Sequence, residues 1–221
     1  MSNKIPVVIL CGGMGTRMRE ETEYKPKPMV GIGGRPILWH IMKIYSFFGF
    51  RRFLLCLGYK GHMIKEFFLN YDAMSNDFTV RLGKNKQISF WNNHGEQDFE
   101  ITLVDTGLNT MTGGRIKRIE HLIDSDIFMV TYGDGLADLD IEKLIDFHCS
   151  HGRLATLTAT RAPSRYGVLD MSSQGQVCKF SEKAKSEWIN GGFFVFNRKV
   201  FDYLDYDCIL ESNPLQRLAT D

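Results

Sequence analysis

Val7-Val8-Ile9-Leu10-Cys11-Gly12-Gly13-Met14-Gly15-Thr16-Arg17 is the stretch on which the fold turns. Its first five residues form a short apolar run rich in β-branched side chains. The run stops dead at a glycine pair, as a parallel strand buried on both faces does. The glycines Gly12, Gly13 and Gly15 let the backbone turn tightly and present N–H groups to phosphate oxygens with no Cβ in the way. Thr16 adds a hydroxyl donor, and Arg17 a planar fork matched to phosphate. The spacing is neither that of a Walker loop nor the dinucleotide GxGxxG. A glycine-rich turn after a strand is also ordinary punctuation. What favours the phosphate reading is its place after the first strand, with an arginine at its end.

Outward from this stretch, strand and helix patterns alternate. Pro36 opens a helical pattern with apolar residues at Ile37, Leu38, Ile41, Ile44, Tyr45 and Phe48, closed by Gly49. Phe53 to Leu57 predicts the second strand, and Met63, Ile64, Phe67, Phe68 and Tyr71 the next helix. Between Phe78 and Val104 three strand-like pieces follow with no helix between them, predicting one strand of the main sheet plus an antiparallel excursion. The rhythm then resumes: a helix over Gly114 to Ile123, a strand over Ile127 to Tyr132, a helix over Ile141 to Ser150 and a strand over Leu154 to Thr160. The closely spaced pieces Val168 to Met171, Val177 to Phe180 and Trp188 to Phe196 predict hairpins decorating the end of the sheet. The expected fold is α/β: a Rossmann-like open, mixed, mostly parallel sheet with helices on both faces and a small antiparallel β excursion.

Composition narrows the function classes. The 221 residues are 43% hydrophobic and 24% charged, as in ordinary globular proteins, and the net charge is +1. No global basic field marks a nucleic-acid binder, so an anion site must be local. No apolar run approaches the roughly 20 residues needed to cross a bilayer. The polar start, Met1 to Pro6, lacks the order of a signal peptide. Five scattered cysteines without a CxxC pair suit reduced thiols, which gives the expectation of a cytoplasmic protein.

In an open α/β sheet, ligands sit beyond the carboxyl ends of the strands. Lys25-Pro26-Lys27-Pro28-Met29 places two lysines before prolines, which disfavours helix and stiffens the segment. Alone it reads as a solvated basic loop; beside the glycine loop it reads as a rigid strap for a polyphosphate. Tyr132-Gly133-Asp134-Gly135 puts a carboxylate at the end of an apolar strand, where it can hold Mg²⁺ against phosphates. Gly-Asp-Gly is equally good turn chemistry. Asp138 and Asp140 read as turn and helix-cap residues. Thr110-Met111-Thr112-Gly113-Gly114-Arg115 is a second glycine-containing loop, and the N-terminus of the helix it opens is suited to an anion. Glu182-Lys183 and Asn190-Gly191-Gly192 supply polar groups that suit sugar hydroxyls. His148 and His151 lie three apart, with only one clearly helical and no third ligand nearby, which argues against zinc.

Together, Leu10-Cys11-Gly12-Gly13-Met14-Gly15-Thr16-Arg17, Lys25-Pro26-Lys27-Pro28-Met29 and Tyr132-Gly133-Asp134 resemble the sugar nucleotidylyltransferase family. Met111 to Arg118, Asp134 to Ile141 and Asn190 to Asn197 add a likeness to its cytidylyl branch. The resemblance runs from Val7 to about Leu218. It implies in-line attack of a phosphate oxygen of glucose 1-phosphate on the α-phosphorus of CTP, releasing pyrophosphate, with Mg²⁺ as cofactor. Carried onto this chain, Leu10, Cys11, Gly12, Gly13, Met14, Gly15, Thr16, Arg17, Lys27, Thr110, Arg115 and Gly133 would bind the nucleotide. Arg17, Lys27 and Asp134 would be catalytic, with Asp134 also the metal ligand. Gly167, Glu182, Lys183, Asn190 and Gly192 would line the sugar-phosphate side. The resemblance also implies a homo-oligomer and a product destined for bacterial surface polysaccharide such as O-antigen. Family members continue past the position of Asp221, so residues 1–221 read as a single nucleotidyltransferase domain lacking a segment that bears a second Mg²⁺-ligand Asp. That departure keeps a second reading open, a nucleotide-binding module with little turnover. A thymidylyl- or uridylyltransferase is the nearest enzymatic alternative, because base choice rests on a few hydrogen bonds.

Overall fold

The computed structural model describes residues 5–15, 23–83, 86–161, 168–181 and 187–221. A central sheet carries the fold. Its first strand, β1 (Val7–Cys11), is buried along its whole length because both faces are covered, which is why the sequence there is a continuous apolar run. The short pair β2 (Gly31–Ile32) and β3 (Arg35–Pro36) leads into α1 (Ile37–Phe47). Next come β4 (Arg52–Leu57), α2 (Gly61–Leu69) and α3 (Tyr71–Ser75). The hairpin β5 (Phe78–Arg81) and β6 (Gln87–Phe90) pairs only with itself, so the expected antiparallel excursion is present, and β7 (Glu100–Asp105) returns to the sheet. Then follow α4 (Thr112–Arg118), β8 (Ile127–Tyr132), α5 (Ile141–His151), β9 (Ala155–Arg161), the hairpin β10 (Val168–Met171) with β11 (Val177–Ser181), β12 (Trp188–Asn197) and α6 (Asn213–Thr220).

The six-stranded sheet has the order β7-β4-β1-β8-β12-β9. The pairs β4–β7, β1–β4 and β1–β8 are parallel, and β12 runs antiparallel to both its neighbours. On one face Val7, Ile9, Phe53 and Leu55 pack with Leu38, Ile41 and Tyr45 of α1 and Ile141 of α5. On the other, Val8, Leu54, Val130, Phe194 and Phe196 pack with Ile116 of α4, Phe201 and Leu210. Helices therefore cover both faces of a mostly parallel sheet, as expected.

Four details differ from the sequence reading. The strand β12 is a central member of the sheet rather than a decoration, because Phe193-Phe194-Val195-Phe196 is apolar toward both faces and wholly buried. The helix after β4 breaks at Asn70, whose backbone N–H and side-chain amide both donate to the Glu66 carbonyl, at 3.0 and 2.8 Å. The helix over 114–123 begins earlier, at Thr112, and ends at Arg118 with a 3-10 turn, Glu120–Leu122, beyond it. Lys27, although it precedes a proline, starts a 3-10 turn over Lys27–Met29, closed by the Val30 N–H on the Lys27 carbonyl.

Candidate active site

The register of the parallel strands brings their carboxyl ends to one edge: Cys11 lies beside Leu57, Leu10 beside Tyr132, and Leu57 beside Asp105. The loops that follow these strands enclose a cavity of about 580 Å³. One wall is Leu10 to Gly15; a second is Lys27-Pro28; a third is Leu108 to Thr112 with Arg115; the fourth is Tyr132-Gly133-Asp134. The three loops singled out from sequence therefore meet in one pocket, together with Thr110, Arg115 and Gly133.

Small residues set how closely these walls approach. A Cβ on Gly133 would meet the Leu10 carbonyl oxygen and the Pro28 Cγ at 2.9 Å each. The Gly133 N–H donates to the Leu10 carbonyl at 3.0 Å. Glycine at 133 thus lets the lysine strap lie on the Asp134 turn, and Pro28 is buried against it. Lys27 Nζ and Asp134 Oδ2 consequently pair at 3.1 Å over the pocket mouth. The Cys11 thiol is fully enclosed, and burial pushes its pKa well above the ordinary value, so it lines the pocket as an inert neutral group.

Arg115 lines the pocket from below and is also bonded to the protein around it. Its side chain is buried, and the guanidinium donates to the carbonyls of Leu57, Gly107, Gly12 and Leu108 and to Thr106 Oγ1, at 2.7–3.2 Å. It lies directly under the glycine loop: a Cβ on Gly12 would sit 2.2 Å from the Arg115 Cζ. Arg115 therefore ties three strand-end loops together from below. Thr110 is buried beside it, its hydroxyl donating to the Thr106 carbonyl at 2.6 Å.

The N-terminus of α4 is occupied by the chain itself. The Met111 N–H donates to Asp207 Oδ1 at 3.3 Å, Thr112 Oγ1 to Glu211 Oε2 at 2.7 Å, and the Gly114 N–H to the Cys208 carbonyl at 3.0 Å. A Cβ on Gly113 would lie 2.5 Å from Cys208 Sγ, so glycine there admits the 205–211 segment against the helix. The anion expected at this terminus is supplied internally by acidic side chains, where the helix dipole favours them.

On the expected sugar-phosphate side, β12 carries Asn190 and Gly192 to the same strand edge, because it runs opposite to β8 and pairs Phe193 with Thr131. The register against β9 shifts between Asn190 and Phe194, and Gly192 takes a φ of 82°, the left-handed region suited to glycine. This bulge turns Asn190 toward Tyr132, and the Asn190 amide donates to the Tyr132 hydroxyl at 3.2 Å. Thr16, Arg17, Gly167, Glu182 and Lys183 lie outside the described residues.

This geometry of glycine loop, lysine strap and strand-end carboxylate agrees with an independent finding: the sequence profile described as Nucleotidyl transferase matches residues 6–216.

The chain belongs to the nucleotidyl transferase family.

Among proteins of this family, the chain is 52% identical to the glucose-1-phosphate cytidylyltransferase of Salmonella typhi, over 96% of this chain and 83% of that one. It is 45% identical to the probable glucose-1-phosphate cytidylyltransferase of Bacillus subtilis (strain 168), over 97% of this chain and 84% of the other. The crystal structure of HddC from Yersinia pseudotuberculosis complexed with GMP-PN is similar in fold, with a TM-score of 0.68 and 26% identity over 96% of this chain and 86% of that chain.

Two features of this nucleotidyl transferase site were missed in the sequence. Tyr132, which lines the pocket, donates a hydrogen bond to Glu211 outside it, and Asp207 accepts from the Met111 N–H at the start of α4. Glu211 and Asp207 sit some hundred positions from the residues they touch, in a segment without glycine or a motif. Its one readable sign is the cluster of Asp202, Asp205, Asp207 and Glu211 in an otherwise apolar stretch. Elsewhere, His148 and His151 both lie in α5, and both rings contact Thr156 Oγ1, at 2.8 and 2.7 Å. Among the described residues no group of three or more His, Cys, Asp or Glu is arranged to hold a metal.

Proposed function

We propose that the chain transfers the cytidylyl group of CTP to α-D-glucose 1-phosphate, forming CDP-glucose and pyrophosphate. The observation that carries this is the convergence of Gly12-Gly13, Lys27 and Asp134 on one pocket, in a chain 52% identical to a glucose-1-phosphate cytidylyltransferase. The glycine loop offers backbone N–H groups to the triphosphate, and Arg115 holds that loop in shape from beneath. Lys27 neutralises charge that builds on the phosphate oxygens as the α-phosphorus passes from pyrophosphate to the sugar phosphate oxygen. Arg17, Thr16 and Thr110 complete the nucleotide side; Asn190 and Gly192, with Gly167, Glu182 and Lys183, form the sugar-phosphate side.

The Asp134 side chain is 41% exposed at the pocket mouth, and a single open carboxylate suits Mg²⁺, which takes most of its ligands from water and substrate phosphates. Asp134 would hold the ion, which when bound offsets phosphate charge and orients the triphosphate. No covalent enzyme intermediate is needed, so the protein's own work is alignment and charge neutralisation.

The test is product formation. Incubation with CTP, glucose 1-phosphate and Mg²⁺ should yield CDP-glucose and pyrophosphate in equal amounts, resolved by anion-exchange chromatography, and Asp134→Ala should abolish both. Tight CTP binding with no CDP-glucose would contradict the proposal and leave a nucleotide-binding module.

A further inference from the structure

Four residues, from two strands, a helix and a turn, form one continuous chain of hydrogen bonds along the edge of the pocket. The Asn190 amide donates to the Tyr132 hydroxyl at 3.2 Å, and the Tyr132 hydroxyl donates to Glu211 Oε1. The second oxygen of the same carboxylate accepts from Thr112 Oγ1 at 2.7 Å. Thr112 opens α4 directly after the pocket-lining Thr110-Met111, and Asn190 lies on the bulge of β12. One end of the chain is therefore in the nucleotide wall and the other on the strand assigned to the sugar phosphate.

Asn190, Thr112 and Tyr132 are each fixed from outside the chain. Asn190 Oδ1 accepts from the Gly192 N–H at 2.8 Å, and Thr112 Oγ1 accepts from the Leu210 N–H at 2.9 Å. The Tyr132 ring lies edge-on to Phe194, with ring centroids 5.9 Å apart, and a Cβ on Gly192 would meet it at 2.8 Å. The directions of the bonds follow from chemistry. A carboxylate only accepts, so Glu211 draws the protons of both hydroxyls toward itself. The Tyr132 oxygen is then left as an acceptor, which orients the Asn190 amide. Burial first, then the bond to Glu211 and its charge, push the Tyr132 pKa upward, so the hydroxyl keeps its proton.

Resting on the cytidylyltransferase reading, we infer that Tyr132 and Glu211 are positioning residues that couple the nucleotide and sugar-phosphate halves of the site. With nucleotide held against the wall over 110–112, Thr112 sets Glu211, Glu211 sets Tyr132, and Tyr132 sets the Asn190 amide for the sugar phosphate. Such coupling is reciprocal between the two ligands.

The experiment measures glucose 1-phosphate binding by calorimetry with and without α,β-methylene-CTP and Mg²⁺. The proteins compared are the unmodified chain, Tyr132→Phe and Glu211→Gln. The analogue should tighten sugar-phosphate binding in the unmodified chain. Tyr132→Phe keeps the ring and removes both hydrogen bonds of the hydroxyl, the one to Glu211 and the one from Asn190, so that tightening should fall at least about fivefold, with a smaller change in affinity for the analogue alone. Glu211→Gln retains one arm of the chain and should fall between the two. An unchanged coupling ratio in both variants, with the analogue bound normally, overturns the inference and leaves the cytidylyl reading standing. Loss of analogue binding in Tyr132→Phe also overturns it, by making the hydroxyl a nucleotide contact. Failure of the unmodified chain to bind the analogue overturns the cytidylyl reading itself.

Discussion

The Lys27 ammonium and the Asp134 carboxylate face each other at 3.1 Å over the mouth of the glycine-loop pocket, 107 residues apart in sequence. The contact follows from Gly133, which leaves room for Pro28, so that the strap before it lies along the turn after β8. In the free protein the two side chains thus hold each other in place. On the proposed reading, phosphate for Lys27 and Mg²⁺ for Asp134 replace this pairing when substrate binds.

Lys27→Met and Asp134→Asn should each lower turnover by about 10²–10³, the usual scale for losing one group that stabilises developing charge. The pair is open to solvent, so its contribution to stability should stay below about 1 kcal/mol, and the melting temperature should move by only about 2–4 °C. Initial rates beside thermal melts check this. A collapse of stability in either variant would make the pair structural.

Arg115→Met should behave in the opposite way. Removing a buried guanidinium that bonds four carbonyls and a hydroxyl leaves those acceptors unsatisfied. The cost should be about 3 kcal/mol or more, seen as a lower urea midpoint. Gly12→Ala, whose Cβ would overlap the guanidinium, should weaken CTP binding through the same displaced loop.

A pH effect should appear at α5. Burial, and then the charge of His151, hold the His148 pKa below its ordinary value. The folded protein therefore resists a proton that the unfolded chain accepts at about pH 6.5. The stability associated with a neutral His148 is fully present above that value and declines as pH falls below it toward the lowered folded pKa. Melting temperature measured from about pH 7.5 to 5.5 should fall less steeply in His148→Gln than in the unmodified chain. Parallel curves would contradict this.

How much of this was legible depends on the distance over which each signal acts. Val7–Cys11 and its glycines could be read because a buried parallel strand and a tight turn leave local signatures. The meeting of Asp134 with the glycine loop followed from the rule that strand ends share an edge. The central place of β12 was hidden, since an apolar run reads alike in a central strand and in a hairpin packed on the sheet. The web of carbonyls around Arg115 was not legible, because a motif reports that a residue is near the site but not which protein groups it holds. Glu211 was invisible for a third reason: its bonds to Tyr132 and Thr112 exist only after the chain has folded back on itself.

Chelation separates a catalytic metal from a structural one. With Asp134 as the protein's ligand and phosphates supplying the rest, EDTA should stop pyrophosphate release yet leave the melting temperature of the nucleotide-free protein within about 2 °C. A large fall would mean that the metal holds the fold.

The most direct test of the whole account is pyrophosphate release measured with glucose 1-phosphate, Mg²⁺ and CTP, UTP or dTTP in separate reactions. Release chiefly from CTP, lost in Lys27→Met and Asp134→Asn, is the predicted result. Release chiefly from UTP or dTTP would contradict the cytidylyl assignment, and release from none of the three would contradict nucleotidyl transfer by this chain.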